Sequence, residues 1–377
     1  MKFLHTSDWH LGAADSEISL QDDQKYFIDE ICRIVQESAV DAVLIAGDVY
    51  DRSVASAEAI RLYNDGIETL SRAGVDVCII AGNHDSAERL ACLSGLLAAS
   101  GVHICGSPEE SLQPVSLKDT EIFLLPWITE EKVKSLFPEQ KTEIAALEDA
   151  YRIMTDKMRS NFTAGKTHIA VSHAFITNAE TSRSDRAAEI GFAPQVSASV
   201  FDGFDYVALG HIHKGQDIAP HIRYCGTPMP YSFGKEETQE KSVTVVDTSD
   251  MTKEVIPLSL LHRRKTVTGT LEEVLSVPCS EEERNGYVRI QITDAYVGPE
   301  TNARLRQIYP HPLEISGKVY EGENSSITLT MEELEELEEN PVEVFRYFCR
   351  EETETDPDDH LIAMFERAMH TAEEGRE

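Results

Sequence analysis

Short apolar runs alternate with helical periodicity in the first part of the chain. Each apolar run has the length of a single strand, and the segments between the runs repeat apolar residues about every three or four positions. Strands without polar alternation are buried on both faces. The pattern therefore predicts a layered α/β core. In order, the predicted strands and helices are 2–7, 21–38, 42–46, 56–73, 77–81 and 86–99.

The middle of the chain continues this pattern less regularly. A long amphipathic helix is predicted at 142–162, because apolar residues recur there at helical spacing. Buried strands are predicted at 122–126, 167–172 and 205–209, and three alternating segments, 222–225, 242–247 and 253–257, are expected to form a second sheet layer.

The character of the sequence changes near residue 261. The following segment combines strand-like and helical stretches without any fragment rich in histidine and aspartate, which is typical of a small accessory unit. Later the chain becomes acidic, with predicted helices at 332–339, 341–350 and 358–372. The sequence therefore predicts a main α/β domain at 1–260, an α+β domain at 261–325 and an acidic helical tail at 326–377.

The composition adds a strong acidic excess to this picture. Lys and Arg number 34 against 67 Asp and Glu, which gives a formal net charge of −33. This balance argues against a broad electropositive face that wraps nucleic acid. The excess is greatest near the end of the chain, so it weighs less against an anionic substrate in a metal-filled cleft.

Two features bear on location. No apolar run is long enough to span a bilayer, and the first eight residues already contain a histidine and an aspartate, unlike a signal peptide. The seven cysteines include no CxxC pair, and most lie in apolar stretches. We therefore expect a reduced, cytoplasmic protein.

Fragments with metal-ligand side chains follow five of the predicted strands. They are Asp8-Trp9-His10, Gly47-Asp48-Val49-Tyr50-Asp51, Gly82-Asn83-His84-Asp85, His173 and Gly210-His211-Ile212-His213. The carboxyl edge of an α/β sheet is where ligands bind. Asp8 and His10 are two residues apart, as are His211 and His213, and in an extended chain such pairs point to the same side.

The chemistry of these side chains favours a pair of metal ions. Carboxylates, imidazoles and one amide oxygen form a mixed N/O set without thiolate, which suits Mn²⁺, Fe²⁺ or Zn²⁺. The set is too large for one catalytic ion and suits two ions that share a carboxylate. A lone histidine after a strand is usually structural, and we expect this of the isolated His5, His103, His168 and His221. Five fragments at five strand ends outweigh that interpretation.

The motifs DxH, GDxxD, GNHD, H and GHxH, in this order, resemble those of the calcineurin-like metallophosphoesterases. Within that family, several segments are similar to the SbcD family of bacterial nuclease subunits, which are relatives of the nuclease in double-strand-break repair. These segments are KFLHTSDWHLG, IAGDVYDRSVAS, IAGNHDS, FDYVALGHIHKGQ and YCGTPMPYSFGKEETQEKSV. The resemblance implies a two-sheet sandwich flanked by helices. It also implies a capping domain at 261–325 that touches DNA, and a tail at 326–377 that docks on an SbcC-type, SMC-like ATPase.

The resemblance also implies roles for individual residues, with two divalent ions for which Mn²⁺ is expected. One ion is expected on Asp8, His10, Asp48 and His213, and the other on Asp48, Asn83, His173 and His211. His84 is expected to stay free of metal and to act on the scissile phosphate. Asp51 stands where archaeal relatives carry histidine, and it either orients His84 or caps the turn. Asp85 is expected to be a structural cap.

These inferences predict a Mn²⁺-dependent DNA nuclease subunit for repair and recombination. It is expected to degrade duplex ends from 3′ to 5′, to cut single strands and hairpins, and to form a homodimer through 56–73 or 86–99. Two alternatives stay open: a phosphodiesterase or phosphatase for small nucleotides, and a non-catalytic scaffold that tethers DNA ends. The basic triplet Arg263-Arg264-Lys265 is expected to be a solvated linker rather than a phosphate contact.

Overall fold

A computed structural model of the chain describes residues 1–15, 18–182, 184–185, 194–276 and 280–317, and the positions 342, 345–346, 357, 361–362 and 364–365. The described residues belong to two compact units, Met1–Lys318 and Val319–Glu377.

In chain order the strands are β1 (Lys2–Thr6), β2 (Ala14–Asp15), β3 (Ile18–Ser19), β4 (Ala42–Ile45), β5 (Asp76–Ile80), β6 (Val102–Cys105), β7 (Val115–Leu117), β8 (Thr120–Leu125), β9 (Thr167–His173), β10 (Tyr206–Gly210), β11 (Gln216–Ala219), β12 (Ile222–Tyr224), β13 (Ser242–Asp247), β14 (Thr252–Pro257), β15 (Arg264–Gly269), β16 (Tyr287–Ile292) and β17 (Pro312–Ser316). The helices are α1 (Gln21–Glu37), α2 (Ala57–Arg72), α3 (Ala87–Leu90), α4 (Ser94–Leu97), α5 (Glu130–Leu136), α6 (Leu147–Arg159), α7 (Leu271–Ser276), α8 (Glu281–Asn285) and α9 (Pro299–Ile308). None of the described helices has the length and apolar character that crossing a membrane requires.

Two six-stranded sheets form the centre of the first unit. The first sheet has the strand order β14-β13-β1-β4-β5-β6, and the second has the order β11-β12-β10-β9-β8-β7. Strands β1, β4, β5 and β6 run parallel to one another, as do β8, β9, β10 and β12. Antiparallel strands complete one edge of the first sheet, through β13 and β14, and both edges of the second, through β11 and β7.

The two sheets pack face to face and carry helices on their outer faces. Along β4, Leu44 belongs to the apolar layer between the sheets, whereas Val43 and Ile45 belong to the layer that includes α1 and α2. Both faces of the strand are therefore buried, which explains why its sequence is apolar without alternation. Tyr151 and Met154 of α6 pack on the outer face of the second sheet. The predicted fold class, a two-sheet sandwich flanked by helices, is confirmed.

Four predicted elements differ from the structure. Strands β13 and β14 join the first sheet beside β1, not a second layer with β12, because alternation shows that a strand is half buried but not which sheet it enters. The predicted helix at 86–99 is divided into α3 and α4, and Leu93 between them is left-handed, with φ of 63°. The predicted helix at 142–162 is shortened to α6, and a 3₁₀ turn at Pro138–Glu143 precedes it.

A third sheet, with the parallel order β15-β16-β17, forms a layer with α7, α8 and α9 in the same unit. Polar contacts join this layer to the sandwich. The hydroxyl of Tyr287 donates to Oδ2 of Asp23 at 2.7 Å, and Glu237 accepts the backbone N–H of Thr266 at 2.8 Å. The predicted mixture of helices and strands is present in this region, and its three strands are parallel.

The second unit is described at few positions. The rings of Phe345 and Phe365 stack with their centroids 4.3 Å apart, and the described residues next to them are helical. The predicted helix at 332–339 and the remaining parts of 341–350 and 358–372 lie outside the described residues.

The two central sheets approach each other closely at the carboxyl ends of their middle strands. A Cβ atom on Gly210, the last residue of β10, would lie 1.9 Å from the carbonyl oxygen of Ala46 and 2.9 Å from Nδ1 of His173. A Cβ atom on Gly82, after β5, would lie 2.1 Å from Oδ1 of Asp48. Both distances are far below van der Waals contact, so this edge is built around glycine.

Gly210→Ala is expected to lower the free energy of unfolding by about 1–3 kcal/mol, because the added methyl group overpacks a backbone contact that has no room to relax. Urea unfolding measures the change. Gly95→Ala is the matched control, since its Cβ would enter open space in α4, where alanine is favourable. Equal stability of the two variants would contradict the steric argument.

Candidate metal centre

Side chains of metal-ligand type converge where the two sheets meet. The loops after β1, β4 and β5 carry those of the first sheet, and the ends of β9 and β10 carry those of the second. Because these strands are parallel neighbours within their sheets, their carboxyl ends lie side by side. The structure brings together every residue predicted to bind metal: Asp8, His10, Asp48, Asn83, His173, His211 and His213.

The chain enters this site through left-handed backbone. Asp8, His10, Asp48 and His211 have φ angles of 52°, 44°, 48° and 99°. Positive φ is uncommon outside glycine and persists where the surroundings impose it. Here the N–H of Asp8 donates to the carbonyl of Gly47, and the N–H of His10 donates to the carbonyl of Asp48, both at 3.0 Å. The expectation that extended chain aims the Asp8–His10 pair is therefore wrong, since turns aim both side chains.

The ligand atoms form two groups that meet at Asp48. In the first group, Nε2 of His10 lies 3.1 Å from Nε2 of His213 and 3.9 Å from Oδ2 of Asp48. The buried Asp8 carboxylate belongs to the same group, within 4.8 Å of the two imidazoles. The same oxygen of Asp48 lies 3.3 Å from Nε2 of His173, which belongs to the second group.

Asn83 lies at the centre of the second group. Its Oδ1 is 2.9 Å from Nε2 of His173 and 3.0 Å from Nδ1 of His211. Bonds of about 2.0–2.2 Å to one ion would place neighbouring ligand atoms roughly 3 Å apart, so these separations fit a cation held between the ligands.

The tautomer of His173 supports the same conclusion. Its Nδ1 donates to the carbonyl of Ala46 at 2.8 Å, so the neutral ring presents a lone pair at Nε2. That lone pair faces oxygens of Asn83 and Asp48. The nitrogen and the two oxygens are all hydrogen-bond acceptors, so only a proton or a metal ion between them makes the contact favourable. Burial opposes protonation, but the Asp48 carboxylate outweighs it and raises the pKa of His173 to about 9. The site therefore attracts positive charge.

The other imidazoles are held in the form that binds metal. Burial lowers the pKa of His10 and of His211 to about 3, and that of His213 to about 4. These rings are therefore neutral at pH 7, with a lone pair available for a cation. Burial, together with the neighbouring Asp48, raises the pKa of Asp8 to about 7, which a bound cation would reverse.

A buried network orients His213. The hydroxyl of Ser184 donates to Glu236, and Nδ1 of His213 therefore donates to that hydroxyl, at 2.6 Å, which leaves Nε2 for a metal. Glu236 also accepts from Nζ of Lys241 at 3.3 Å. Burial opposes the charge on Glu236, but Lys241, His213 and the serine hydroxyls outweigh it and lower the pKa of Glu236 to about 2. The carboxylate is therefore ionised and keeps the network in place.

His84 lies beside the metal ligands with a fixed tautomer. Its Nδ1 donates to the main-chain carbonyl of Asp51 at 2.8 Å, and its Nε2 lies 3.9 Å from Oδ2 of Asp48. His84, His10 and Asp48 form a third group whose geometry is compatible with a metal ion. The carboxylate of Asp51 lies instead 3.8 Å from Nδ1 of His10, so the backbone of Asp51, not its side chain, orients His84.

Asp85 is the structural cap that the sequence predicted. Its carboxylate accepts the backbone N–H groups of Gly82 at 2.9 Å, Tyr50 at 2.9 Å and Val49 at 3.1 Å. These bonds tie the loop after β5 to the loop after β4. Asn83 and Asp48, which the two loops carry, are thereby held in register.

Two aromatic residues that the sequence analysis did not single out also line the centre. The ring of Tyr231 lies 5.5 Å from that of His10, and its hydroxyl donates to the carbonyl of Trp9. The ring of Trp127 lies 5.3 Å from that of His211. Tyr231 and Glu236 both occur in the family-like segment that begins YCGTP, which was the available signal for them.

A cleft of about 340 Å³ opens beside the centre. His10, His84 and His213 line it on one side, and Arg264 and Arg289 of the third sheet line it on the other. The prediction that Arg264 lies in a solvated linker is wrong, because its side chain is 1% exposed, pairs with Asp15 and lines the cleft.

Comparisons with known proteins agree with this geometry. A family model described as calcineurin-like phosphoesterase matches residues 1–215, and one described as type 5 capsule protein repressor C-terminal domain matches residues 261–353. A Staphylococcus epidermidis protein that is named as the D subunit of nuclease SbcCD is 31% identical over 326 residues, 85% of this chain and 86% of that protein. Its namesake from Staphylococcus saprophyticus is 28% identical over 348 residues, 91% of each chain. The solved structure of TT1561 from Thermus thermophilus covers 68% of this chain and 99% of its own, but its TM-score of 0.38 and identity of 12% carry no argument.

Proposed function

This chain belongs to the calcineurin-like phosphoesterase family and to the family of SbcCD nuclease D subunits, and on this premise we propose that it hydrolyses phosphodiester bonds of DNA at a two-metal centre. One observation carries the proposal. Asp8, His10, Asp48, Asn83, His173, His211 and His213 meet around one shared carboxylate, with His84 at the edge of an open cleft. Two cations with a free approach on one side suit phosphoryl chemistry.

The proposed assignment gives each ion four ligands. Asp8, His10, Asp48 and His213 hold one ion, and Asp48, Asn83, His173 and His211 hold the other. Mn²⁺ suits this mixed N/O set. When bound, two such ions offset the charge of a phosphodiester and acidify water. Because the ligands are buried and mainly neutral, the positive charge at this site has to come from the bound ions.

His84 is proposed as the residue that exchanges a proton with the substrate. Its Nδ1 is committed to the Asp51 carbonyl, so any proton it gives or takes moves at Nε2. Nε2 faces Asp48 and the cleft, where a leaving oxygen of the substrate has access. In this proposal Asp51 contributes through its carbonyl to His84 and through its carboxylate to the surroundings of His10.

The finer activity follows from the family resemblance of the motifs, and the relatives' name supports a nuclease subunit of SbcCD. We propose that the protein works with an SbcC-type ATPase, degrades duplex DNA from 3′ to 5′ and cuts single strands and hairpins during DNA repair, recombination and replication. The third sheet, with the segment 261–325, is proposed as the capping domain, and 326–377 as the segment that docks on the ATPase. The free thiols of the described cysteines support a reducing, cytoplasmic location.

The test is cleavage of a hairpin and a linear duplex by purified protein with Mn²⁺, with and without the ATPase subunit. His84→Gln is expected to keep the metal content and to lower turnover by about 10²-fold or more, because only proton transfer is removed.

Asn83→Ala is expected to lose metal, because it removes an amide oxygen at the centre of one group. Elemental analysis of each variant measures the content. Loss of metal from His84→Gln would make His84 a ligand, and intact DNA in all wild-type reactions would contradict the nuclease.

We also propose a homodimer that uses the segment around α2 and α4. Ile60, Leu93 and Leu96 are 43%, 64% and 72% exposed, and several exposed large apolar side chains in these neighbouring segments favour a protein interface. Leu93→Glu with Leu96→Glu is expected to convert dimer to monomer, as measured by light scattering after size exclusion. Val255→Glu, on the exposed face of β14, is the control and should leave the mass unchanged. A monomeric wild type would contradict the dimer.

Deletion of the chain from Met331 onward is expected to abolish co-purification with the ATPase subunit. Turnover of bis-p-nitrophenyl phosphate with Mn²⁺ should persist, because the metal centre lies in the unit Met1–Lys318. Retention of the ATPase by the truncated protein would place the docking segment elsewhere.

A further inference from the structure

Two arginines of the third sheet face the metal centre across the same cleft. Arg264 begins β15 and Arg289 lies within β16, and both line the cleft together with His84. Their guanidinium carbons lie 5.1 Å and 4.5 Å from the centroid of one ring, that of Phe233. Two cations stacked on one aromatic ring form a defined positive wall in a strongly acidic protein.

Arg264 has hydrogen-bonding capacity that the protein leaves unused. Its Nε donates to the carbonyl of Pro230 at 3.0 Å, and its Nη1 donates to Asp15 at 2.5 Å. Nη2 is buried and has no partner among the described residues. A buried donor without a partner is costly, and in a cleft it indicates a missing acceptor.

Arg289 keeps a free donor group as well. Glu314 accepts from its Nε at 2.5 Å and from its Nη2 at 2.8 Å. The described hydrogen bonds therefore leave Nη1 available in the cleft. Glu314 is 46% exposed, so its carboxylate is screened by water, whereas Arg289 is 9% exposed and held in place by Phe233.

We propose that Arg264 and Arg289 form a second phosphate subsite, which binds a DNA backbone phosphate next to the scissile one. The subsite rests on the proposed nuclease function and specifies its substrate. Guanidinium groups match phosphate oxygens in geometry and charge. The cleft also carries Asp15, Asp51 and Glu314, which oppose an anion, so the arginines are the described cleft groups that attract one. A substrate with a single phosphate gains nothing from this wall.

The full chain with Mn²⁺ is assayed on a blunt duplex oligonucleotide and on bis-p-nitrophenyl phosphate, which has one phosphate. Arg289→Met is expected to lower the ratio of kcat/KM for duplex to that for the small diester by about tenfold. It should also make the slope of log kcat/KM for duplex against log salt shallower by about 1, the signature of one lost phosphate contact. Arg289→Lys keeps the charge and should keep the slope.

Two further variants complete the test. Arg306→Met, on exposed α9 and bonded to Asn302, is the matched control and should change neither ratio nor slope. Glu314→Gln removes the competing carboxylate and should raise kcat/KM for duplex, so the test still decides if Arg289→Met fails to fold. An unchanged ratio and slope in Arg289→Met, or no gain in Glu314→Gln, overturns the subsite. Cleavage of DNA by the wild type in the same assays leaves the nuclease proposal intact. A wild type that turns over neither substrate contradicts the nuclease and the subsite with it.

Discussion

The carboxylate of Asp48 is the group on which both halves of the site depend. Its Oδ1 accepts the backbone N–H of His84 at 2.9 Å, and its Oδ2 faces His10 and His173. Burial opposes its charge, but His173, His10 and His84 hold the pKa of Asp48 well below its usual range. An ionised carboxylate thus lies where the two sheets meet, beside His10 and His84 of the first sheet and His173 of the second. The close approach of the two sheets at Gly210, and of two loops of the first sheet at Gly82, makes this arrangement possible.

Positive charge in this protein is local rather than general. The net charge of −33 makes long-range attraction to a polyanion unfavourable over most of the surface. The metal centre is instead a buried place that attracts cations, as the pKa of about 9 for His173 indicates. The two arginines of the cleft add a second positive element at short range. Attraction that acts only at short range inside a cleft favours the molecules that fit the cleft, whereas a broad basic surface binds any nucleic acid.

The cleft is lined by two layers of the same unit, to which our proposals give chemistry and substrate selection. The sandwich supplies His10, His84 and His213, and the third sheet supplies the opposite wall. Contacts between Asp23 and Tyr287 and between Glu237 and Thr266 fix the third sheet on the sandwich. Changes in the wall can therefore alter substrate preference without moving a metal ligand.

The sequence by itself determined a layered α/β core and the metal-ligand residue types, because hydrophobic periodicity and strand-end motifs are local properties. The two-sheet sandwich followed from the resemblance of its motifs to a known family. It also identified Asp85 as a cap. Only the tertiary structure decided that β13 and β14 join the first sheet, that turns aim Asp8 and His10, and that Glu236 orients His213. It likewise showed that Arg264, predicted to lie in a linker, lines the cleft. These features depend on contacts between residues far apart in the chain, such as Asp15 with Arg264, and no local pattern encodes which distant partner a buried charge will meet.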